Sequence, residues 1–321
     1  MAIPLAPFLV GVDVSKATLS LCTGPDASLQ ELPNQPRAIA RWLKTLPGSP
    51  VCIAVEATNT FHVELVTQAH RQGHTVYLID GYRLSRYRDS IGGRAKTDAS
   101  DARLLHRYLA HEHQDLRPWS PPPEGYLSLQ RLLRRRAAVV KSRVALRQSL
   151  AGLPEFKTAA EALFRQIARL EDRLQERILL TLDQLQWGRD RRRCQAIEGV
   201  GPLTSAALAT SFRRAPFANS DAFIAFIGFD VRARDSGQWH GRRKLSKRGD
   251  PEVRRLLYLA AMRACRTAAW QPFYQRCLGR GLAKIQALVI LARKLARVAF
   301  ALLKTQTDYH PRLQNEACAT T

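Results

Sequence analysis

Acidic residues are scarce in this chain: 27 Asp and Glu stand against 50 Lys and Arg, a formal net charge of +23 over 321 residues. Solubility needs far less, so the imbalance points to a polyanionic partner, of which nucleic acid is the commonest. Cysteine is sparse as well. Cys22, Cys52, Cys194, Cys265, Cys277 and Cys318 show no C-x-x-C spacing, which speaks against a disulfide framework and for ordinary thiols in a reducing cytoplasm. No uninterrupted apolar stretch is long enough to cross a bilayer. The nearest candidate, Leu282–Leu303, is broken by Lys284, Arg293, Lys294 and Arg297; its basic helical pattern leaves an acidic membrane surface as a competing partner. No Lys or Arg precedes the N-terminal apolar patch, so a secretory signal is not expected.

What the chain does have is 45% hydrophobic residues, ample for a packed core, and a length that holds two domains or one domain with a large insertion. Residues 8–14, 17–22, 51–56 and 75–79 are short, rich in β-branched and apolar residues, and read as strands. Helical patterns lie between them at about 36–46 and 61–72, the second closing at Gly73. This predicts an α/β unit. Trp119-Ser120-Pro121-Pro122-Pro123 is a stiff linker. Beyond it two long helices are predicted, 124–150 and 158–186, separated by Gly152-Leu153-Pro154. In the second, Leu163, Ile167, Leu170, Leu174 and Ile178 form one stripe. The pair is expected to be a helical hairpin or coiled coil, packed within one monomer or used for self-association. A mainly helical domain follows. The expected boundaries are 1–118, 119–188 and 189–321.

Against so basic a background, four acids stand out. Asp13 ends one apolar run and Glu56 another, and Asp98 and Asp101 sit three apart, on one face of a helix expected from about Thr97 to Ala110. Sites in open α/β sheets gather at the carboxyl ends of strands. Gathering four carboxylates makes sense if a divalent cation neutralises them. Hard oxygen ligands select Mg²⁺ or Mn²⁺, ions suited to attack on phosphodiesters.

Basic residues are also clustered. Arg131, Arg134, Arg135, Arg136, Lys141, Arg143 and Arg147 occur with no acid among them. A solvated helix face usually alternates signs, so the run is expected to meet phosphates. The turn Glu198-Gly199-Val200-Gly201-Pro202 reads as a joint between helices. Its Gly199 and Gly201 are candidates for phosphate contact at the next helix N-terminus, although a purely structural joint is equally consistent. The densest basic region holds Arg232, Arg234, Arg242, Arg243, Lys244, Lys247, Arg248, Arg254 and Arg255. Within it Trp239 and His240 could stack on a base or carry a proton, but a buried tryptophan is the plainer expectation.

Three groups of residues together carry a resemblance. Gly11-Val12-Asp13-Val14-Ser15-Lys16, Val55-Glu56-Ala57-Thr58 and Lys96-Thr97-Asp98-Ala99-Ser100-Asp101-Ala102 resemble, in order, the motifs of the DEDD insertion-sequence transposases, the IS-one-ten family, which includes the Piv-type DNA invertases. Ile197–Pro202, Asp235-Ser236-Gly237 and Leu245–Asp250 extend the likeness, which runs from about residue 8 to 304. Two departures are visible: Thr58-Asn59 where the family often has Thr-Gly, and Asp80-Gly81 where Asn-Pro is common.

The resemblance implies a RuvC-like, RNase H-type first domain with Asp13, Glu56, Asp98 and Asp101 as ligands for Mg²⁺ or Mn²⁺. It also implies a C-terminal transposase domain with Ser236 as nucleophile. From spacing alone Asp-Ser-Gly would read as a turn. The implied partners are donor and target DNA, a structured non-coding guide RNA, and further copies of the chain as a dimer or tetramer, with no membrane. The implied location is the bacterial cytoplasm, on the nucleoid. Ser236 lies far from the acids in sequence, so an active site assembled from two domains or two protomers is expected. A metal-dependent, Holliday-junction-resolvase-like nuclease needs the acids but not Ser236. A catalytically silent nucleic-acid-binding protein would need neither, and the intact acids argue against it.

Overall fold

The computed structural model describes residues 7–47, 51–92, 98–232, 235–236, 239–240 and 243–311; the side chains at 98–99, 235–236 and 239–240 lie outside the described set. The chain forms two units, Met1–Pro121 and Pro122–Thr321.

The first unit is built on a five-stranded sheet. In chain order its elements are β1 (Phe8–Val14), β2 (Thr18–Cys22), β3 (Gln30–Pro33), α1 (Pro36–Leu43), β4 (Val51–Glu56), α2 (Val63–Arg71), β5 (Thr75–Ile79), α3 (Gly81–Ser90) and α4 (Asp98–Glu112). The strand order is β3-β2-β1-β4-β5. β1, β2 and β3 pair antiparallel; β4 and β5 continue from β1 in parallel. The sequence predicts β1, β2, β4 and β5 within a residue; the short β3 and the helix α3 are additions, since neither carries a long enough periodic pattern to be read.

Side-chain alternation decides what each sheet face does. Val10, Val12 and Val14 of β1 and Val51, Ile53 and Val55 of β4 point to one side and pack on Ile39, Trp42, Leu65 and Val66 of α1 and α2. The other side carries Cys52 and Ala54, and is covered by α3 and α4 through Leu84, Leu105 and Leu109. Asp13 is in phase with Leu9 and Gly11, and Glu56 with Cys52 and Ala54. Both acids therefore belong to the α4 face.

The second unit is helical: α5 (Tyr126–Ser149), α6 (Lys157–Gln184), α7 (Gly188–Gln195), α8 (Pro202–Phe212) and α9 (Ser220–Phe226) precede a small β excursion, and α10 (Pro251–Ala264), α11 (Gln271–Gly279) and α12 (Lys284–Thr305) follow it. The excursion holds β6 (Val231–Arg232), β7 (Asp235–Ser236), β8 (Trp239–His240) and β9 (Lys244–Leu245), with β6 pairing β9 and β7 pairing β8. α5 and α6 form an antiparallel hairpin, pinned by Arg143–Glu171 at 2.7 Å and by Arg147 over the Phe164 ring at 5.1 Å. Its base is buried through Leu129, Leu133, Ile178 and Leu182. The stripe predicted on α6 is buried only at that base: Leu163 and Leu170 are 43% and 47% exposed. Periodicity reports which face is apolar, not how far a neighbouring core extends along it.

α12 is the central helix of this unit, with Leu288, Leu291, Leu295, Ala299 and Leu303 in the core. The apolar stripe that could have suited a membrane surface is thus consumed by packing, and no helix among the described residues is long and apolar enough to cross a membrane. A buried charged knot ties the end of α12 back to α7. Asp190 accepts from Arg213 at 2.7 Å and from Gln306 at 3.1 Å, and Arg193 donates to Gln306. Buried charges persist only when paired in this way.

Candidate active site

The parallel register pairs Val12 with Val55, so Asp13 and Glu56 follow as neighbours at the carboxyl ends of adjacent strands. Asp101 reaches them from above the sheet. It can do so because β1 carries glycine where α4 crosses: a Cβ on Gly11 would lie 2.3 Å from the Ala102 carbonyl oxygen and 2.3 Å from the His106 nitrogen. No side chain fits there, and that close approach drops the first turns of α4 onto the strand ends. Carboxylate oxygens of Asp13, Glu56 and Asp101 lie within 4.8 Å of one another. Asp101 is buried; Asp13 and Glu56 are half-buried, open to an incoming group. Asp98 opens α4 one turn before Asp101, and its side chain lies outside the described residues.

Three carboxylates this close repel strongly unless a cation sits among them. The donor set is all hard oxygen, and its span is near what one ion with ligands at about 2.1 Å requires, roughly 4 Å between opposite oxygens. The residues fit a Mg²⁺- or Mn²⁺-sized ion. Part of the balancing charge is internal: Arg88, near the end of α3, donates to Asp101 Oδ1 at 2.5 Å. Ser100 Oγ donates to the same oxygen at 3.3 Å. The sequence reading missed Arg88; the one signal was an arginine in a segment bracketed by β5 and the paired acids.

The loops beside the acids are shaped by their own polar groups. Ser15 Oγ accepts from Thr18 N at 2.8 Å, so it closes the β1–β2 turn, and Lys16 is exposed. Asn34 donates to the Ser15 carbonyl at 2.8 Å and the Phe61 carbonyl at 3.1 Å, joining the loops after β1 and β4. Asn59 has φ +47°, the left-handed region. Glycine adopts it most easily and asparagine next, which explains why Asn can stand where the resemblance led one to expect Gly. Asp80 caps α3 through Tyr82 N and Arg83 N. A Cβ at Gly81 would come within 2.6 Å of Glu56 Oε1, so α3 begins against one acid and ends against another.

In the second unit, Ser236 pairs with Trp239 across the β7–β8 hairpin; its side chain, with those of Asp235, Trp239 and His240, lies outside the described residues, as do Arg234, Gly237 and Arg242. The base of the excursion is fastened by Ser246 N to the Asp230 carbonyl at 2.9 Å. Around it Arg232, Arg243, Lys244, Lys247 and Arg248 are exposed. Arg255 instead makes two bonds to Glu252, at 2.7 and 2.6 Å, and Arg254 donates to the Gly249 carbonyl at 2.6 Å.

The basic run on α5 needs a correction of its premise. Acids are absent from that helix but present on its neighbours: Arg143 pairs with Glu171 of α6, and Arg134 lies 3.5 Å from Asp250, the cap of α10. Arg136 is half-buried, and desolvation pulls its guanidinium below the usual value. At these positions the lack of acids along the helix does not by itself require an external anion. Arg135 and Lys141 are exposed. At the α7–α8 joint, Gly199 has φ +87° and a Cβ there would meet the Ala260 carbonyl at 2.6 Å. Packing on α10 is reason enough for that glycine. Gly201, the cap residue of α8, has no such neighbour.

The comparisons match both halves. A family model described as a transposase, of the DEDD IS110 type, matches residues 10–154, which contain all four acids. A second, described as the transposase IS116/IS110/IS902 family, matches residues 191–275, which contain Ser236. The pilin gene-inverting protein of Moraxella bovis is 24% identical over 317 residues, spanning 95% of this chain and 98% of that protein. Its counterpart in Moraxella lacunata is 24% identical over 320 residues, with the same coverage. A "Probable family 20 transposase" of Pseudomonas aeruginosa is 35% identical over 166 residues, 50% of this chain and 46% of that protein.

Proposed function

Because this chain belongs to the IS116/IS110/IS902 transposase family and is a DNA-rearranging enzyme, we propose that it cuts and rejoins DNA by serine-based transesterification at a metal-assisted site. The observation that carries the reading is the meeting of Asp13, Glu56 and Asp101 at the carboxyl ends of β1 and β4. The sheet order, with β2 reversed between β1 and β3, supports an RNase H-like first domain within 1–118. In this reading the hairpin region 119–188 is a coiled-coil connector and 189–321 a transposase domain.

Asp13, Glu56, Asp98 and Asp101 would hold Mg²⁺, which when bound stabilises negative charge on the phosphoryl oxygens. The Ser236 hydroxyl attacks a DNA phosphorus; the Oγ–P bond forms, the P–O3′ bond breaks, and the hydroxyl proton passes, in net terms, to the departing 3′ oxygen. One ester replaces another, so the reverse reaction rejoins a strand without ATP. Arg243, Lys244, Lys247 and Arg248, with Arg242, are suited to hold DNA phosphates near that serine, and Arg135 and Lys141 to extend the track. Arg134, Arg136, Arg143 and Gly199 have internal roles beside any phosphate contact, whereas Gly201, at the start of α8, is proposed as a phosphate contact without one. A guide RNA and a dimer or tetramer complete the proposal; the excess of positive charge suits both nucleic acids.

A nuclease reading has one observation in its favour: the acid cluster is assembled from first-unit elements alone. Strand exchange between supercoiled donor and target plasmids, with flanking element RNA supplied, separates the two. The proposal expects Ser236→Ala to abolish both recombination and a protein–DNA adduct that mass spectrometry maps to Ser236 in the wild type. Cleavage that survives Ser236→Ala would instead establish the nuclease.

A further inference from the structure

Arg88 is bound to the acid cluster by geometry that its role as a surface cation does not explain. Its side chain is 15% exposed and that of Asp101 is 6%. α3 is clamped in place by Leu84 in the core under α4 and by Tyr87 packed edge-on to Tyr108, ring centroids 4.9 Å apart. The next residue after Tyr87 is thereby delivered to Asp101. Arg88 and Ser100 both donate to Oδ1, so a metal ion that takes this oxygen must displace a donor. An ion that takes the other oxygen sits a few ångströms from a guanidinium. In a half-buried site the repulsion between that charge and a dication outweighs the orienting value of one charge-assisted hydrogen bond.

We propose that Arg88 is a positioning residue that competes with the divalent ion for Asp101 and is drawn off by a DNA phosphate. The consequence is coupling. Without nucleic acid, Arg88 neutralises one carboxylate and the cluster binds the ion weakly. A phosphate entering beside the strand ends offers Arg88 a better partner; its departure leaves the Asp101 carboxylate to the ion, which binds more tightly. By reciprocity the ion strengthens DNA binding by the same factor. The metal centre would thus be fully charged only when its substrate is present, which limits stray hydrolysis.

The inference rests on the metal reading of the preceding section, and one experiment distinguishes their failures. Mn²⁺ is titrated into the full chain and followed by electron paramagnetic resonance, with and without a short DNA duplex, the duplex alone serving as blank. Wild-type protein is expected to bind Mn²⁺ about tenfold more tightly with DNA than without, a size ordinary for coupled sites. Arg88→Gln should bind it about tenfold more tightly without DNA and lose most of the DNA effect. Arg88→Lys, which keeps the charge, should stay near wild type and guards against a misfolded Gln variant. If Arg88→Gln binds Mn²⁺ no better than wild type while Arg88→Lys is unchanged, the competition does not exist. If wild-type protein shows no Mn²⁺ site that Asp101→Asn removes, the metal reading itself falls.

Discussion

Gly11 of β1 and Ala102 of α4 approach so closely that the smallest side-chain atom on Gly11 would stand 2.3 Å from the Ala102 carbonyl oxygen. The neighbour is helix backbone, which cannot rotate away as a side chain could. Gly11→Ala must lift α4 from the sheet, and Asp101 with it. The expected cost is roughly 1–3 kcal/mol, the usual penalty of overpacking, together with loss of strand exchange. Urea unfolding of the variant measures the first; a stability equal to wild type would mean that α4 is not seated as described.

Glu56→Gln removes one carboxylate of the proposed ligand set. Added Mg²⁺ should raise the wild-type melting point by ligand linkage and leave the variant nearly unmoved. Differential scanning fluorimetry with and without Mg²⁺ reads both. Equal Mg²⁺ shifts in the two proteins would remove Glu56 from the ligand set.

Asn59 in its left-handed conformation predicts a pair of outcomes. Asn59→Gly should leave stability within about 0.5 kcal/mol. Asn59→Val should cost about 1–2 kcal/mol, because a branched Cβ crowds the following carbonyl there. Chemical denaturation of the two variants side by side decides it, and equal costs would count against the positive φ.

Two neighbouring cations on α5 should behave in opposite ways. Arg143→Ala leaves Glu171, 7% exposed, without its partner, and should lower stability by roughly 1–3 kcal/mol with little change in the salt dependence of DNA binding. Lys141→Ala should leave stability alone and flatten the plot of log affinity against log salt by about 0.9, one phosphate contact. Binding isotherms over a salt series test this. A flattened slope for Arg143→Ala, with Lys141→Ala silent, would reverse the assignment.

Much of the first unit could be read from residues alone, because its information is local. Apolar runs marked β1 and β4 and put Asp13 and Glu56 at their ends, and three-residue spacing paired Asp98 with Asp101. What could not be read depends on contacts distant in sequence. Arg88 serves Asp101 only because Tyr87 meets Tyr108. Arg143 finds its counter-charge on another helix, so a count of acids along α5 misjudged it. The two-residue strands around Ser236 carry too little pattern to separate from a turn, and the bare Asp-Ser-Gly gave no stronger signal than its turn propensity.

The shared register of β1 and β4 has a consequence for how such chains can change. Inserting or deleting one residue within Phe8–Asp13 or Val51–Glu56 would rotate a carboxylate to the side lined by α1 and α2, burying it in a valine layer. Loops may lengthen and helices drift among descendants of this sequence, but these two stretches admit substitution without indels. Their lengths are a ruler that any alignment of active relatives has to respect.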